Sequence, residues 1–122
     1  MRVLLSIKPE FADLIFSGKK KYEYRKQIFK KDVKTVVVYA SAPVQKVIGE
    51  FTIDCVHHED INDLWQKTES GSGISRHYFN EYFLSHERGY AIKVLNINKY
   101  VEPLNLNELY QSPPPQSFAY IN

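Results

Sequence analysis

The run Val36–Tyr39 constrains the fold more than any other part of the sequence. Three β-branched residues followed by an aromatic one are typical of a central strand whose two faces are both covered. Three further segments also have strand character: Arg2 to Ile7, Val47 to Val56 and Gly89 to Val101. Short helical patterns separate these segments without the regular strand–helix alternation of a parallel sheet. The sequence therefore predicts an α+β fold with five or six strands in a small mixed or closed β structure.

The length and composition fit a small globular protein. We expect the 122 residues to form one domain, 1–122, which is large enough to bury a core without a metal or disulfides. Because the formal net charge is only +2, binding to nucleic acid would depend on a local cluster of cations. The single cysteine, Cys55, excludes an internal disulfide and fits a reducing compartment. No apolar run is long enough to span a membrane and the N-terminus is not a secretory signal, so we expect a cytoplasmic protein with no membrane partner.

The segment Gly18–Arg25 is the most densely charged part of the chain, with four cations, one carboxylate and two phenols. It follows a helical pattern that begins at Pro9, and its glycine is predicted to end that helix. In the strand that follows, Glu23 and Arg25 would share one face and the two tyrosines the other. We expect the tyrosine face to be buried and the charged face to point to solvent or into a cleft.

Two interpretations of this charged segment are open. A Lys/Arg run with one Glu is most often a solvated edge that discourages strand aggregation. Alternatively, Lys20 and Arg25 would donate to a phosphate or to an oxygen that gains charge. Glu23 would then accept a proton or hydrogen-bond the edge of a base. A lysine held near a second cation has a lowered pKa, which suits a base or a nucleophile.

Other candidate sites have simpler interpretations. His57–Asp60 is predicted to be a polar loop rather than a metal site, because adjacent histidines on a strand point to opposite faces. Cys55 lies on the alternating apolar face of its strand and is predicted to be a core residue. Trp65 is also expected in the core, with base stacking as the alternative. The segment Glu69–Gly73 is predicted to be a mobile loop that could cover a cleft.

The start of the chain resembles a known family. The string Leu5–Pro9, a short helix and the spacing Gly18-x-Lys20-x-x-Glu23-x-Arg25 are similar to the ASCH family, a branch of the PUA-like domains associated with RNA. All four positions of the family's Gly-x-Lys-x-x-Glu-x-Arg signature are met. The resemblance implies a PUA-like β pseudobarrel, with short helices at its rim and the signature lining a cleft at its mouth.

The resemblance also sharpens the set of candidate site residues. Strand alternation places Lys21 beside Glu23 and Arg25, whereas the family signature selects Lys20; a turn or bulge after Gly18 would reconcile the two. No metal or other cofactor is implied. The expected ligand-binding residues are Ser6, Lys8, Lys20, Glu23, Arg25 and Arg76, and the catalytic candidates, if the protein is an enzyme, are Lys20 and Glu23.

Three functions are compatible with these residues. The first is a module that binds RNA or a nucleotide, with DNA as an alternative ligand. The second is a hydrolase, because the resemblance includes ribonucleases and amidohydrolases that deacetylate a modified cytidine. In the amidohydrolases the lysine matches Lys20, but Glu23 stands where their catalytic threonine would be, so that nucleophile is absent from its place. The third is a non-enzymatic protein-interaction domain. The tail Pro114–Phe118 is similar to the end of a subgroup of stand-alone ASCH proteins. The proline-rich segment from Pro113 would be compatible with a disordered tail, but Phe118 and Tyr120 favour a last edge strand.

Overall fold

The β-branched run becomes the buried centre of a mixed sheet. It forms strand β3 (Thr35–Ala40), in which only the first residue is not fully buried. This strand pairs in parallel with β1 (Arg2–Ile7) and antiparallel with β4 (Lys46–Asp60). The computed structural model describes residues 1–122 and contains these further elements: β2 (Tyr22–Arg25), β5 (Arg88–Leu104), β6 (Phe118–Ile121), α1 (Pro9–Phe16), α2 (Ile61–Thr68), α3 (Arg76–Tyr82), and 3₁₀ turns at Glu69–Gly71 and Leu106–Glu108.

The six strands follow the order β2-β5-β4-β3-β1-β6. This arrangement confirms the predicted α+β fold with a mixed sheet and short helices. The terminal strands β2 and β6 share no backbone ladder, so the sheet is an open pseudobarrel rather than a closed barrel. The register of β4 against β5 shifts between Phe51 and Ile53 and again between Ile53 and Cys55. Such irregularities bend and twist a strand pair, which curves the sheet.

The helices cover two sides of this curved sheet. Helix α1 begins at Pro9, where the missing N–H costs no hydrogen bond because N–H groups of the first turn have no partner within the helix. The helix buries Ile15 in the largest apolar cluster. Helices α2 and α3 enclose a second cluster around Trp65 and Phe79. The prediction that Trp65 belongs to the core is confirmed, since it is only 6 % exposed. No helix has the length and apolar character that crossing a membrane requires.

Strand β4 is longer than its alternating pattern predicts. Its pairing with β5 continues to Asp60, which lies opposite Arg88, so the interpretation of His57–Asp60 as a loop is wrong. Just past the register shifts, Cys55 is exposed rather than buried, so the prediction that it belongs to the core is wrong. Alternation identifies the two faces of a strand, but it does not show where the cover over one face ends.

The glycine-bearing segment Glu69–Gly73 is not the free loop that its composition predicts. Its first three residues form a 3₁₀ turn, and Gly71 and Ser72 are buried. The carbonyl of Gly71 accepts a hydrogen bond of 2.7 Å from the N–H of Lys21. A Cβ atom on Gly71 would lie 2.8 Å from the Cβ of Lys21, so only glycine allows this approach. The segment therefore supports the start of β2.

Candidate functional site

An open space of about 570 Å³ lies where the parallel strands β1 and β3 end. We call it the cleft. It is bounded by β2, the first turn of α1, one side of α3 and the C-terminal tail. Five of the six residues predicted to bind a ligand line it: Ser6, Lys8, Lys20, Glu23 and Arg25.

A turn brings Lys20 to the same side of the molecule as Glu23 and Arg25. Gly18 has a φ of +81°, which ends α1 in the left-handed region as predicted. The N–H groups of Lys19 and Lys20 then both donate to the carbonyl of Leu14, at 2.9 and 3.0 Å. Strand β2 starts only at Tyr22, so the alternation of a strand does not apply to Lys20. The turn after Gly18 thus resolves the conflict between strand alternation and the family signature.

Lys20 is almost completely buried, with 2 % exposure. Its Nζ donates to the carbonyl of Ser72 at 2.8 Å and lies 4.8 Å from the ring centre of Tyr24 and 5.3 Å from that of Phe11. Burial lowers the pKa of Lys20 to about 8, although the carboxylate of Glu23 acts in the opposite direction. Lys20 is therefore mainly a cation at neutral pH, with two of its three N–H groups not used by the protein.

Arg25 connects β2 to the C-terminal tail. Its Nη1 lies 3.2 Å from Oε2 of Glu23 and donates to the carbonyl of Ser6 at 3.3 Å. Its Nη2 donates to Oγ of Ser117 at 2.7 Å. The hydroxyl of Ser6 donates in turn to the carbonyl of Pro115 at 2.6 Å. These bonds hold the tail as one wall of the cleft.

Glu23 keeps one carboxylate oxygen available to a ligand. Oε2 is paired with Arg25, whereas Oε1 accepts no hydrogen bond from the protein and is not sealed in the interior. It is the only acidic side chain lining the cleft, and no histidine or cysteine lies beside it there. The lining thus offers three cations and one carboxylate to an anionic ligand rather than a set of metal ligands.

Arg76 lies outside the cleft. Ser75 caps α3 by accepting a hydrogen bond from the N–H of Tyr78, and Arg76 follows in the first turn. Its guanidinium donates to Asn80 at 3.1 Å and to Asn62 at 2.9 Å, and it stacks over Trp65. These contacts direct it toward α2, away from the other predicted residues.

Four tyrosines line the cleft, although sequence reasoning assigned none of them to it: Tyr24, Tyr39, Tyr78 and Tyr82. Tyr39 ends the β-branched run, and Tyr78 and Tyr82 come from α3. The hydroxyl of Tyr78 lies 3.3 Å from Nζ of Lys8. Tyr82 belongs to the apolar stripe of α3, so its sequence context indicated only core packing. No local pattern in the sequence separates a tyrosine that packs from one that also faces a cleft.

Comparison with known proteins gives a consistent result. Residues 5–100 match the sequence model of the ASCH domain. The chain is 31% identical over 123 residues to an ASCH domain-containing ribonuclease from Zymomonas mobilis, covering 97% of this chain and 82% of that protein. The crystal structure of ASCH from Zymomonas mobilis superimposes with a TM-score of 0.90 at 29% identity, over 99% of this chain and 87% of that one.

A second relative is much longer than this chain. The chain is 33% identical over 120 residues to ATP synthase subunit alpha of Ureaplasma parvum. This match covers 98% of the chain but only 15% of that protein. The similarity therefore extends over one segment of that protein, and this segment is about as long as the chain.

Proposed function

The chain belongs to the ASCH domain family, and from this membership we propose that its cleft binds single-stranded RNA. One observation carries the proposal: Lys8, Lys20, Glu23 and Arg25 converge on one concave space together with tyrosines. Cations at this spot suit a phosphate, and the free carboxylate oxygen suits the N–H groups of a base or a ribose hydroxyl. The proposal takes residues 1–122 as one domain working in the cytoplasm, where the exposed thiol of Cys55 would stay reduced.

The shape of the cleft favours an unpaired strand over a duplex. A space of about 570 Å³ is in the usual range for one small ligand, so it accommodates a nucleotide but not a double helix. Sequence-specific RNA recognition generally uses such single-stranded segments, whose bases are free to leave the stack and contact aromatic side chains. The Zymomonas mobilis relative, with 31% identity over most of its length, is named a ribonuclease, which supports RNA as the ligand.

Binding of a labelled single-stranded RNA, measured by fluorescence anisotropy at two salt concentrations, tests the proposal. We expect Lys20→Met to reduce affinity at least tenfold, and Lys8→Ala to reduce both the affinity and the salt dependence, by about 0.7 in the log–log slope. Lys34→Ala is the matched control, because Lys34 is exposed and lies just before the first residue of β3, whereas the cleft lies at the other end of that strand. Equal affinities in the wild type and in Lys20→Met would contradict the proposal. A DNA strand of the same sequence, measured in the same way, shows whether the protein recognises the ribose hydroxyl.

Cleavage of the bound RNA is a second candidate function. It is favoured by the ribonuclease relative and by a buried lysine whose pKa of about 8 suits proton transfer. The ribose 2′-oxygen would bond to phosphorus and the bond from phosphorus to the 5′-oxygen would break, leaving a 2′,3′-cyclic phosphate. Glu23 would accept the proton of the 2′-hydroxyl, and Lys20 would donate one to the departing oxygen.

The cleavage candidate has its own test. Labelled RNA incubated with the protein in EDTA is expected to give fragments that end in a cyclic phosphate. Lys20→Met and Glu23→Gln should abolish the fragments, whereas Lys34→Ala should not change their rate. If the RNA stays intact while binding persists, the cleavage candidate is rejected and the binding function remains.

A further inference from the structure

A smaller pocket of about 340 Å³ adjoins the cleft. We call it the side pocket. Three of its residues, Arg25, Tyr82 and Gln116, also line the cleft, so the two spaces lie side by side. The residues that line the side pocket are Arg25, Lys26, Gln27, Tyr82, His86, Gln116 and Ser117.

The side pocket differs from the cleft in charge. It contains two cations, Arg25 and Lys26, and no carboxylate, whereas the cleft also contains Glu23. Its other lining groups are two amides, a hydroxyl and a phenol, which can donate hydrogen bonds, and the imidazole of His86. A pocket with cations and donors but no acid is complementary to an anion that carries several acceptor oxygens.

Tyr82 stands at the boundary between the two spaces. Nζ of Lys26 lies 4.7 Å from the centre of its ring, which places an exposed cation beside a residue that lines both spaces. Burial raises the pKa of Tyr82, so its hydroxyl remains a donor at neutral pH. A chain that leaves the cleft past Tyr82 would therefore meet Lys26 next.

The loop after α3 places His86 in the side pocket. Ser85 has a φ of +70°, an uncommon conformation for a residue with a side chain. The N–H of His86 donates to the carbonyl of Phe83 at 2.9 Å, which closes the turn. Nδ1 of His86 lies 3.2 Å from the carbonyl of Leu84; because a carbonyl only accepts, Nδ1 carries the proton and Nε2 is left free.

We propose that the side pocket binds the phosphodiester next to the nucleotide held in the cleft. The ligand is then a strand of two or more nucleotides rather than a free nucleoside or mononucleotide. This inference rests on the proposed function, because it needs a nucleotide in the cleft. The side pocket would give the strand a second binding point. Arg25 lines both spaces, whereas Lys26 lines only the side pocket.

A length series of short RNA strands tests the inference. The probes are a nucleoside monophosphate, a dinucleotide and a trinucleotide with 2′-fluoro riboses, which lack the hydroxyl needed for cleavage. We expect the trinucleotide to bind at least tenfold more tightly than the monophosphate, as measured by calorimetry at low salt. Lys26→Ala should remove most of this gain and lower the salt slope by about 0.7, while affinity for the monophosphate stays within twofold.

Lys31→Ala is the matched control. Lys31 makes the same kind of contact, with its Nζ 4.8 Å from the ring centre of Tyr120, but it lines neither space. If all lengths bind equally, the side pocket does not hold the strand, although the cleft still does. If the gain survives Lys26→Ala and is lost in Lys31→Ala, the strand follows another path and the inference is wrong. If no probe binds, the proposed function fails and the inference fails with it.

Discussion

At the scale of single residues, Lys20 places a charge in a poorly solvated position. Its only hydrogen-bond partner within the protein is the carbonyl of Ser72, and it forms no ion pair within 4 Å. The lowered pKa shows that burial outweighs the favourable field of Glu23. A group held in this way gains its full set of partners only when an anion enters the cleft. The residue therefore reduces the stability of the free protein and favours the bound state.

We expect Lys20→Met to stabilise the free protein at pH 7. The fall in pKa from 10.5 to about 8 corresponds to on the order of 3 kcal/mol, partly offset by the lost bond to Ser72, so a net gain of about 1–2 kcal/mol is expected. Between pH 8 and 10.5 the unfolded chain binds more protons at this position than the folded chain, so wild-type stability rises across that interval. Urea denaturation should show that the stability difference between Lys20→Met and the wild type becomes smaller toward pH 10. If Lys20→Met is instead less stable than the wild type by the same amount at pH 7 and at pH 10, then the folded protein fully compensates the cost of burying Lys20.

RNA affinity should depend on the same proton. As the pH rises through about 8, Lys20 loses its charge and can no longer donate fully to a phosphate. We expect the dissociation constant of the wild type to increase between pH 7 and pH 9. The weaker binding of Lys20→Met should lack this increase, since its side chain does not titrate. Anisotropy titrations at constant ionic strength make the comparison, and parallel pH profiles for the two proteins would contradict the role of Lys20.

At the scale of elements, two glycines with similar backbone conformations have different tasks. Gly18 (φ +81°) and Gly73 (φ +69°) both lie in the left-handed region. A Cβ atom on Gly18 would meet nothing within 4 Å, whereas one on Gly73 would lie 2.7 Å from the Cβ of Lys20 and 3.1 Å from its Cα. Gly18 thus ends a helix, while Gly73 leaves space for the buried lysine.

Alanine at each glycine separates these roles. Gly18→Ala should reduce the free energy of unfolding by about 1 kcal/mol through backbone strain alone, with RNA affinity unchanged. Gly73→Ala carries the same strain and also displaces Lys20, so we expect a larger loss of about 2–3 kcal/mol and at least tenfold weaker binding. Denaturation and anisotropy measure the two effects. Equal RNA affinities in both variants would show that the position of Lys20 is not important for binding.

Local patterns predicted those elements whose neighbours in sequence determine them. Strand β1, the start of α1 at Pro9 and its end at Gly18 depend on short-range signals, and the structure confirms them. The end of β4 and the exposure of Cys55 depend on pairing with β5, which is distant in sequence, and the predictions there were wrong. The tyrosines of the cleft and the side pocket come from elements that meet only in the folded chain, so no spacing in the sequence indicated them.

At the scale of the whole molecule, side chains join the two ends of the sheet. Strands β2 and β6 lack a backbone ladder, but Arg25 at the end of β2 donates to Ser117, which precedes β6. Ser6 of β1 holds the same tail through its bond to Pro115. The closure that hydrogen-bonded strands provide in a barrel is replaced here by a guanidinium that also lines the cleft. Occupation of the cleft and retention of the tail should therefore be coupled.

Hydrogen exchange on a Ser117→Ala variant tests this coupling. Loss of the bond to Arg25 should weaken the tail locally by about 1 kcal/mol, which corresponds to about fivefold faster exchange of the β6 amides (Phe118–Ile121) with little change in global stability. RNA should slow this exchange in the wild type and slow it less in the variant. Ser112→Ala is the matched control, because Ser112 lies in the same tail, is exposed and makes no side-chain hydrogen bond. If the two variants exchange alike, or RNA leaves the tail amides of the wild type unaffected, then Arg25 does not link the cleft to the open side of the sheet.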